Sequence, residues 1–111
     1  MTVWHKSMDP ARWNAFSLER QVLMIGSEFA RAHNLRRDNV TVEVLQCYER
    51  ALELLDLSAD DPKWRPRLRE LLRFRETLCG LYVSPPDPHD EFLALYRVLM
   101  SWTGSTSRVE L

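Results

Sequence analysis

The sequence predicts an all-α protein, a single domain over residues 1–111 folded as an antiparallel up-down four-helix bundle. Good helix formers (Leu, Arg, Glu and Ala) dominate the composition, and three glycines with few β-branched residues argue against a sheet. Apolar residues recur at spacings of three and four in separate stretches, with short connectors between them. Helices joined by short loops pack as antiparallel neighbours, so the up-down bundle is the expected architecture.

The first predicted helix, Pro10 to His33, is the element around which the rest of the chain is organised. Asp9 is its expected N-cap, Pro10 takes the first helical position, and Asn34 can adopt a left-handed C-terminal cap. At about 100° per residue, one apolar stripe of this helix faces the core. The stripe consists of Ala11, Ala15, Leu18, Val22, Ile25, Phe29 and Ala32.

The same helix carries a second apolar face on its roughly opposite side. This face consists of Trp13, Phe16, Leu23, Met24, Ser27 and Ala30, and is interrupted by Arg20. Exposed apolar patches mark interfaces, and a chain of this size has little room for a central helix. We therefore expect a homodimer through this face, where Gly26 and its small neighbours permit close approach. The alternative is that the neighbouring helices of the same chain cover both sides.

The second predicted helix starts at Asn39 or Thr41, both good N-caps, and runs to about Leu57. Its core stripe consists of Val44, Leu45, Tyr48, Ala51, Leu52 and Leu55. Its outward face carries Glu43, Glu49, Glu53 and Asp56 against Arg50. This acidic face would complement a basic neighbouring helix.

The third predicted helix has two alternative starts. Asp61-Pro62 is a helix-start signal, but Pro66 lacks a backbone donor once past the first turn. Either a short 3₁₀ turn over 59–64 precedes a helix from Pro66, or one helix begins with a disturbed turn. The helix is expected to reach Cys79, with Gly80 as the residue after its C-cap.

The fourth predicted helix follows a third start signal, Asp87-Pro88, and has Asp90 and Glu91 favourably placed in its first turn. Thr103-Gly104 is expected to end it. Residues 1–8 are predicted to be an N-terminal tail, and residues 105–111 a flexible C-terminal tail.

A basic run, KWRPRLRELLRFR, lies at the start of the third predicted helix. Arg65, Arg69 and Arg73 are four residues apart and form a ridge that can track the phosphates of a nucleic acid or bind another anion. The alternative is that the ridge complements the acidic face of the second helix. The formal net charge of −1, and the lack of aromatic residues alternating with the basic ones, favour that alternative over nucleic acid.

Catalytic and metal-binding patterns are not found in the sequence. A di-iron bundle needs Glu-x-x-His on two helices, and none of His5, His33 and His89 follows a Glu in that spacing. Cys47 and Cys79 lack CxxC spacing and are expected to be packed, reduced thiols. We therefore expect no catalytic residue, no metal and no cofactor.

The sequence therefore predicts a non-catalytic protein–protein interaction domain that self-associates through its first helix. A nucleic-acid-associated module using Arg65, Arg69 and Arg73 is the alternative. A third hypothesis is a small-molecule pocket among four aromatic residues, namely Tyr48, Trp64, Tyr82 and Trp102. A cytoplasmic location without membrane contact is expected, because no run approaches the ~18 apolar residues of a span and residues 1–17 lack the apolar core of a signal peptide.

Overall fold

The structure is a computed structural model that describes residues 5, 8–36, 41–84, 87 and 90–103. Among these residues it contains five α-helices and one 3₁₀ helix, and no strand. The helices are α1 (Pro10–Asn14), α2 (Leu18–Leu35), α3 (Val42–Ala59), the 3₁₀ helix (Pro62–Arg67), α4 (Leu68–Val83) and α5 (Glu91–Ser101). The predicted all-α fold class is confirmed, and the described residues pack into one globule with a radius of gyration of 13.5 Å.

The prediction of one helix from Pro10 to His33 is wrong. The chain leaves the helical conformation after Asn14 and starts a second helix at Leu18. Ser17 is extended, and its hydroxyl accepts a hydrogen bond from the backbone N–H of Arg20 at 3.1 Å, which caps α2. The apolar periodicity continues through this break and hides it. The predicted start at Asp9-Pro10 is confirmed, since the Asp9 carboxylate accepts from the N–H of Arg12 at 2.8 Å.

The far end of α2 also differs from the expectation. Asn34 lies inside the helix, and the C-cap is Arg36 in the right-handed region, so the left-handed cap at Asn34 is wrong. At the start of α3, the hydroxyl of Thr41 accepts from the N–H of Val44, which confirms Thr41 as an N-cap. Asn39, the alternative cap, lies outside the described residues.

Pro66 lies in a short 3₁₀ helix that precedes the α-helix, as the first of the two predicted starts has it, but both elements begin later than predicted. The 3₁₀ helix takes up the proline, and the α-helix starts only at Leu68. The predicted end at Cys79 is wrong, because α4 runs on through Gly80 to Val83. It stops before Ser84, the residue that precedes the Pro85-Pro86 pair, where proline disfavours the helical conformation.

Asp87 caps the start of α5, although it lies four residues before the first residue of that helix. Its carboxylate accepts from the N–H groups of Glu91 at 2.7 Å and Phe92 at 2.9 Å, and from the Nη2 of Arg36 at 3.0 Å. The helix itself begins at Glu91, later than the predicted Asp87-Pro88 start, because Asp90 adopts the left-handed conformation with φ 53°. The helix ends at Ser101, just before the predicted Thr103-Gly104.

The four long helices form a closed ring of contacts around the core. Helix α2 packs against α3 and α5, and α4 packs against the same two helices. The short α1 and the 3₁₀ helix both contact α3. The largest fully buried side chains of the core include Trp13, Trp64, Phe29, Phe92 and Ile25. Of the predicted N-terminal tail, His5 is described and its Nδ1 lies 3.0 Å from Oε1 of Glu53; residues 1–4, 6–7 and 105–111 lie outside the described residues.

The charge of Asp87 is expected to make stability depend on pH. Burial alone would raise the pKa of Asp87, but hydrogen bonds from the N–H groups of Phe92 and Glu91 and from Arg36 lower it below its usual value. A carboxyl whose pKa is lowered by folding stabilises the protein above its unfolded pKa of about 4, and this contribution is lost as the pH falls through the folded pKa. Asp87→Asn should therefore cost about 1–2 kcal/mol at pH 7 and much less near pH 2.

Urea unfolding of the wild type and of Asp87→Asn, each at pH 7 and near pH 2, measures this difference in the free energy of unfolding. Asp90→Asn is the matched control, because Asp90 makes no side-chain cap hydrogen bond and asparagine tolerates its left-handed conformation. An Asp87→Asn cost of the same size at both pH values would show that the carboxylate charge is not what stabilises the start of α5.

Candidate interaction surfaces

The predicted dimer face is divided by the break between α1 and α2. Trp13 has no exposed surface, and its Nε1 donates to the hydroxyl of Ser58 at 3.1 Å, so it belongs to the core and offers nothing to a partner. The other members lie on the outside to different extents. Arg20, Leu23 and Ser27 are exposed, whereas Phe16, Met24 and Ala30 are half-buried. We call these six residues the α2 strip.

Gly26 is buried by a neighbouring helix of the same chain, as the alternative to a dimer expects. A Cβ added at Gly26 would lie 2.7 Å from the Cε of Met100, so Gly26 packs against the end of the Met100 side chain on α5 of the same chain. Helix α3 contacts the other flank of α2. These neighbours leave the α2 strip partly uncovered, with Leu23 50% exposed at its centre.

The predicted basic ridge is only partly regular. Arg65 lies in the 3₁₀ helix, where residues advance by about 120° rather than 100°, so helical spacing holds only between Arg69 and Arg73 on α4. All three side chains are exposed. Within the described part of the chain, none of these three side chains makes a hydrogen bond or an ion pair.

The expected pairing between α4 and the acidic face of α3 is made by a different arginine. The Nε of Arg75 lies 2.5 Å from Oδ1 of Asp56, and its Nη2 lies 3.4 Å from Oδ2. Arg75 therefore complements α3, while the exposed side chains of the ridge arginines pair with no carboxylate among the described residues. This outcome removes the main reason for regarding the ridge as an intramolecular complement.

An open apolar groove of about 260 Å³ lies between α4 and α5. Its apolar lining comes from both helices and consists of Phe74, Leu95, Val98 and Trp102. Glu70, Arg73 and Thr77 of α4 complete the lining. Arg73 thus belongs to the groove and to the basic ridge. The sequence analysis missed this groove, because it depends on which faces of the last two helices are brought together.

The aromatic residues of the third hypothesis have different partners in the structure. Tyr48 stacks on Phe92, with ring centroids 5.7 Å apart, and the hydroxyl of Tyr82 donates to Glu49 at 2.6 Å. Trp64 packs edge-on against Trp102 at 5.6 Å, both in the core. Of the four residues, Trp102 alone lines the α4–α5 groove.

A buried polar cluster ties α1, α2 and the 3₁₀ helix together around Gln21. Its Nε2 donates to the carbonyl of Trp13 at 2.7 Å and to Oδ2 of Asp61 at 2.8 Å, while its Oε1 accepts from Nε1 of Trp64 at 2.7 Å. Burial would raise the pKa of Asp61, but hydrogen bonds from Gln21 and Lys63 lower it. Because every polar atom of Gln21 is used, the cluster is suited to holding elements together. Gln21 was not singled out in the sequence, where it is a polar residue beside an apolar stripe.

The two cysteines occupy different environments. Cys47 is fully buried, and burial raises the pKa of its thiol in spite of the Arg50 guanidinium, whose Nη2 lies 3.2 Å from Sγ. It therefore stays protonated at neutral pH. Cys79 is half-buried and unpaired, with Nη1 of Arg75 3.5 Å from its Sγ. The described residues contain no group of three or more His, Cys, Asp or Glu side chains arranged to hold a metal ion.

Two further results concern membrane crossing and similarity to known proteins. Within the part of the chain that the structure describes, no helix combines the length and the apolar character needed to cross a membrane. Comparisons with protein-family models, with curated proteins and with solved structures found no match.

Proposed function

We propose that this protein is a small, non-catalytic helical interaction domain that folds as an up-down four-helix bundle and pairs with a second copy of itself through the α2 strip. The closed ring of contacts among α2, α3, α4 and α5, each packed against the next, supports the bundle. The observation that carries the self-association is Leu23, a large apolar side chain that is 50% exposed in the second turn of the 18-residue helix α2.

The surroundings of Leu23 suit a helix-to-helix contact. Ser27 and Ala30 are small and lie on the same side of α2, while Phe16 and Met24 add partly exposed apolar surface. Small residues beside a large apolar one let two helices approach closely, and aromatic residues and methionine are enriched at interfaces.

The structural roles of three ionisable groups with shifted pKa values support a non-catalytic role. Asp61 is held in the buried cluster with Gln21, and Asp87 caps α5. Cys47 is sealed in the core. Shifted pKa values also occur in structural ion-pair and hydrogen-bond networks, and each of these three groups has such a structural explanation.

Light scattering coupled to size-exclusion chromatography tests the self-association. At micromolar concentrations the wild-type chain is expected to run at about twice its 13.1 kDa mass. Leu23→Glu should give a monomer with its helix content retained, because it places two like charges in the contact. Leu72→Glu is the matched control, since Leu72 is 46% exposed on α4, away from the strip, and should leave the dimer intact.

A wild-type chain that stays monomeric at high micromolar concentration would end this proposal. Equal effects of Leu23→Glu and Leu72→Glu would place the contact on a face other than the α2 strip.

A further inference from the structure

The α4–α5 groove is built to take apolar side chains. Its lining from α5 includes Val98, which is 44% exposed, above Leu95, Phe74 and Trp102, which are nearly buried. Its volume of about 260 Å³ is below the roughly 300–1,000 Å³ typical of small-molecule sites. A groove that is shallow, apolar and bounded by two helices suits one or two anchoring side chains of a docked helix better than an enclosed ligand.

The charges beside the groove indicate the chemistry of its occupant. Several arginines elsewhere are matched by carboxylates of this chain: Arg75 by Asp56, Arg36 by Asp87 and Arg50 by Glu28. The exposed arginines of the ridge, Arg65, Arg69 and Arg73, have no such partner among the described residues. Glu70 lines the groove together with Arg73, and Glu76 also lies on α4. The three exposed arginines outnumber these two carboxylates, and this positive balance favours an acidic partner.

We propose that the α4–α5 groove docks an acidic amphipathic helix of another protein. Its large apolar side chains enter between Val98 and Phe74, and its carboxylates pair with Arg69 and Arg73, which stand four residues apart on α4. This is the helix-in-groove mode, in which apolar anchors supply affinity and flanking charges supply orientation and specificity. It uses a different surface from the α2 strip and stands independently of self-association.

The aromatic residues of the groove favour a protein over a nucleic acid. Single-stranded nucleic acids bind by stacking bases on exposed aromatic faces. Here Phe74 and Trp102 are 3% and 6% exposed and pack against each other at 5.2 Å between ring centroids, so neither presents a face for stacking. The accessible apolar surface is aliphatic, which suits leucine-like side chains.

A fluorescence anisotropy titration with a short labelled peptide tests the proposal. The probe is a designed helix with Leu on one face and Glu on the other, and the same peptide with Lys in place of Glu is the control ligand. The acidic peptide is expected to bind in the micromolar range and the basic peptide at least about tenfold more weakly. A duplex and a single-stranded oligonucleotide are titrated under the same conditions, at two salt concentrations.

Two pairs of variants locate the binding. Val98→Glu should weaken binding of the acidic peptide by at least about tenfold, while Val83→Glu, a change at a valine that is 73% exposed outside the groove, leaves it unchanged. Arg73→Glu should weaken it by about fivefold, since one charge pair is reversed. Arg97→Glu, the same change on α5 outside the groove lining, leaves it unchanged. Far-UV circular dichroism confirms that each variant is folded.

Three results would overturn the proposal: no binding of the acidic peptide at millimolar concentration, equal weakening by Val98→Glu and Val83→Glu, or equal affinity for the acidic and basic peptides. Salt-dependent binding of an oligonucleotide without binding of the acidic peptide would also overturn it and would assign the ridge to nucleic acid instead.

Discussion

Val22→Glu is expected to unfold the chain at 25 °C, whereas Leu23→Glu, one residue further along α2, keeps it folded. Val22 has no exposed surface, and a carboxylate placed there would be buried without a partner. Such a charge costs more than about 4–5 kcal/mol, which is most of the stability of a small domain. Leu23 is 50% exposed, so its replacement should change the free energy of unfolding by less than about 1 kcal/mol in the monomer.

Far-UV circular dichroism and urea unfolding of the two variants measure this contrast. Because glutamate is a better helix former than valine, a loss of helix in Val22→Glu reflects the buried charge and not local propensity. If both variants unfold, or if neither does, the inward and outward faces of α2 have been assigned wrongly.

Gln21→Ala is expected to lower the free energy of unfolding by about 3–5 kcal/mol, a large effect for a polar residue. The truncation leaves the indole N–H of Trp64 and the carbonyl of Trp13 without the partner that the structure gives them, both in the interior. Each buried group left unsatisfied costs about 1–3 kcal/mol, and the lost volume adds a cavity. Asp61 also loses one of its donors.

Gln46→Ala provides the matched control for this substitution. Gln46 is half-buried on α3, and its side chain makes no hydrogen bond to the described residues. Its replacement should change the free energy of unfolding by no more than about 0.5 kcal/mol. Urea unfolding followed by tryptophan fluorescence reports both variants, because Trp13 and Trp64 lie in the cluster. A cost of Gln21→Ala below about 1 kcal/mol would show that the cluster does not hold α1 and the 3₁₀ helix in place.

Three helix starts were predicted correctly from the sequence. Asp9, Thr41 and Asp61 each cap the helix that follows within two or three residues, so the signal and the structure lie in the same short segment. Helix ends were predicted less well. Gly80 has the residue type of a C-terminal cap, but α4 continues past it because Leu81 is buried against the core. Packing of that last turn outweighs the cost of one glycine.

The candidate site was only partly predictable. The sequence identified Leu23 and Arg73 as surface residues that a partner can contact, and both are exposed. It also placed Trp13 on the dimer face, because the helical period treats residues 10–33 as one rod. The break at Ser17 redirects α1, and Trp13 then packs inward and donates to Ser58, 45 residues away along the chain.

By itself, the amino-acid sequence determined the helical class and the capped helix starts at Asp9, Thr41 and Asp61, because these depend on propensity, period and contacts within one turn. Only the tertiary structure decided the burial of Trp13, the cluster around Gln21, the pairing of Arg75 in place of the ridge arginines, and the α4–α5 groove. Each of these joins residues on different helices. Such contacts depend on how the helices pack against one another. Hydrophobic periodicity shows that a helix has an apolar stripe, but it does not show which other helix covers that stripe.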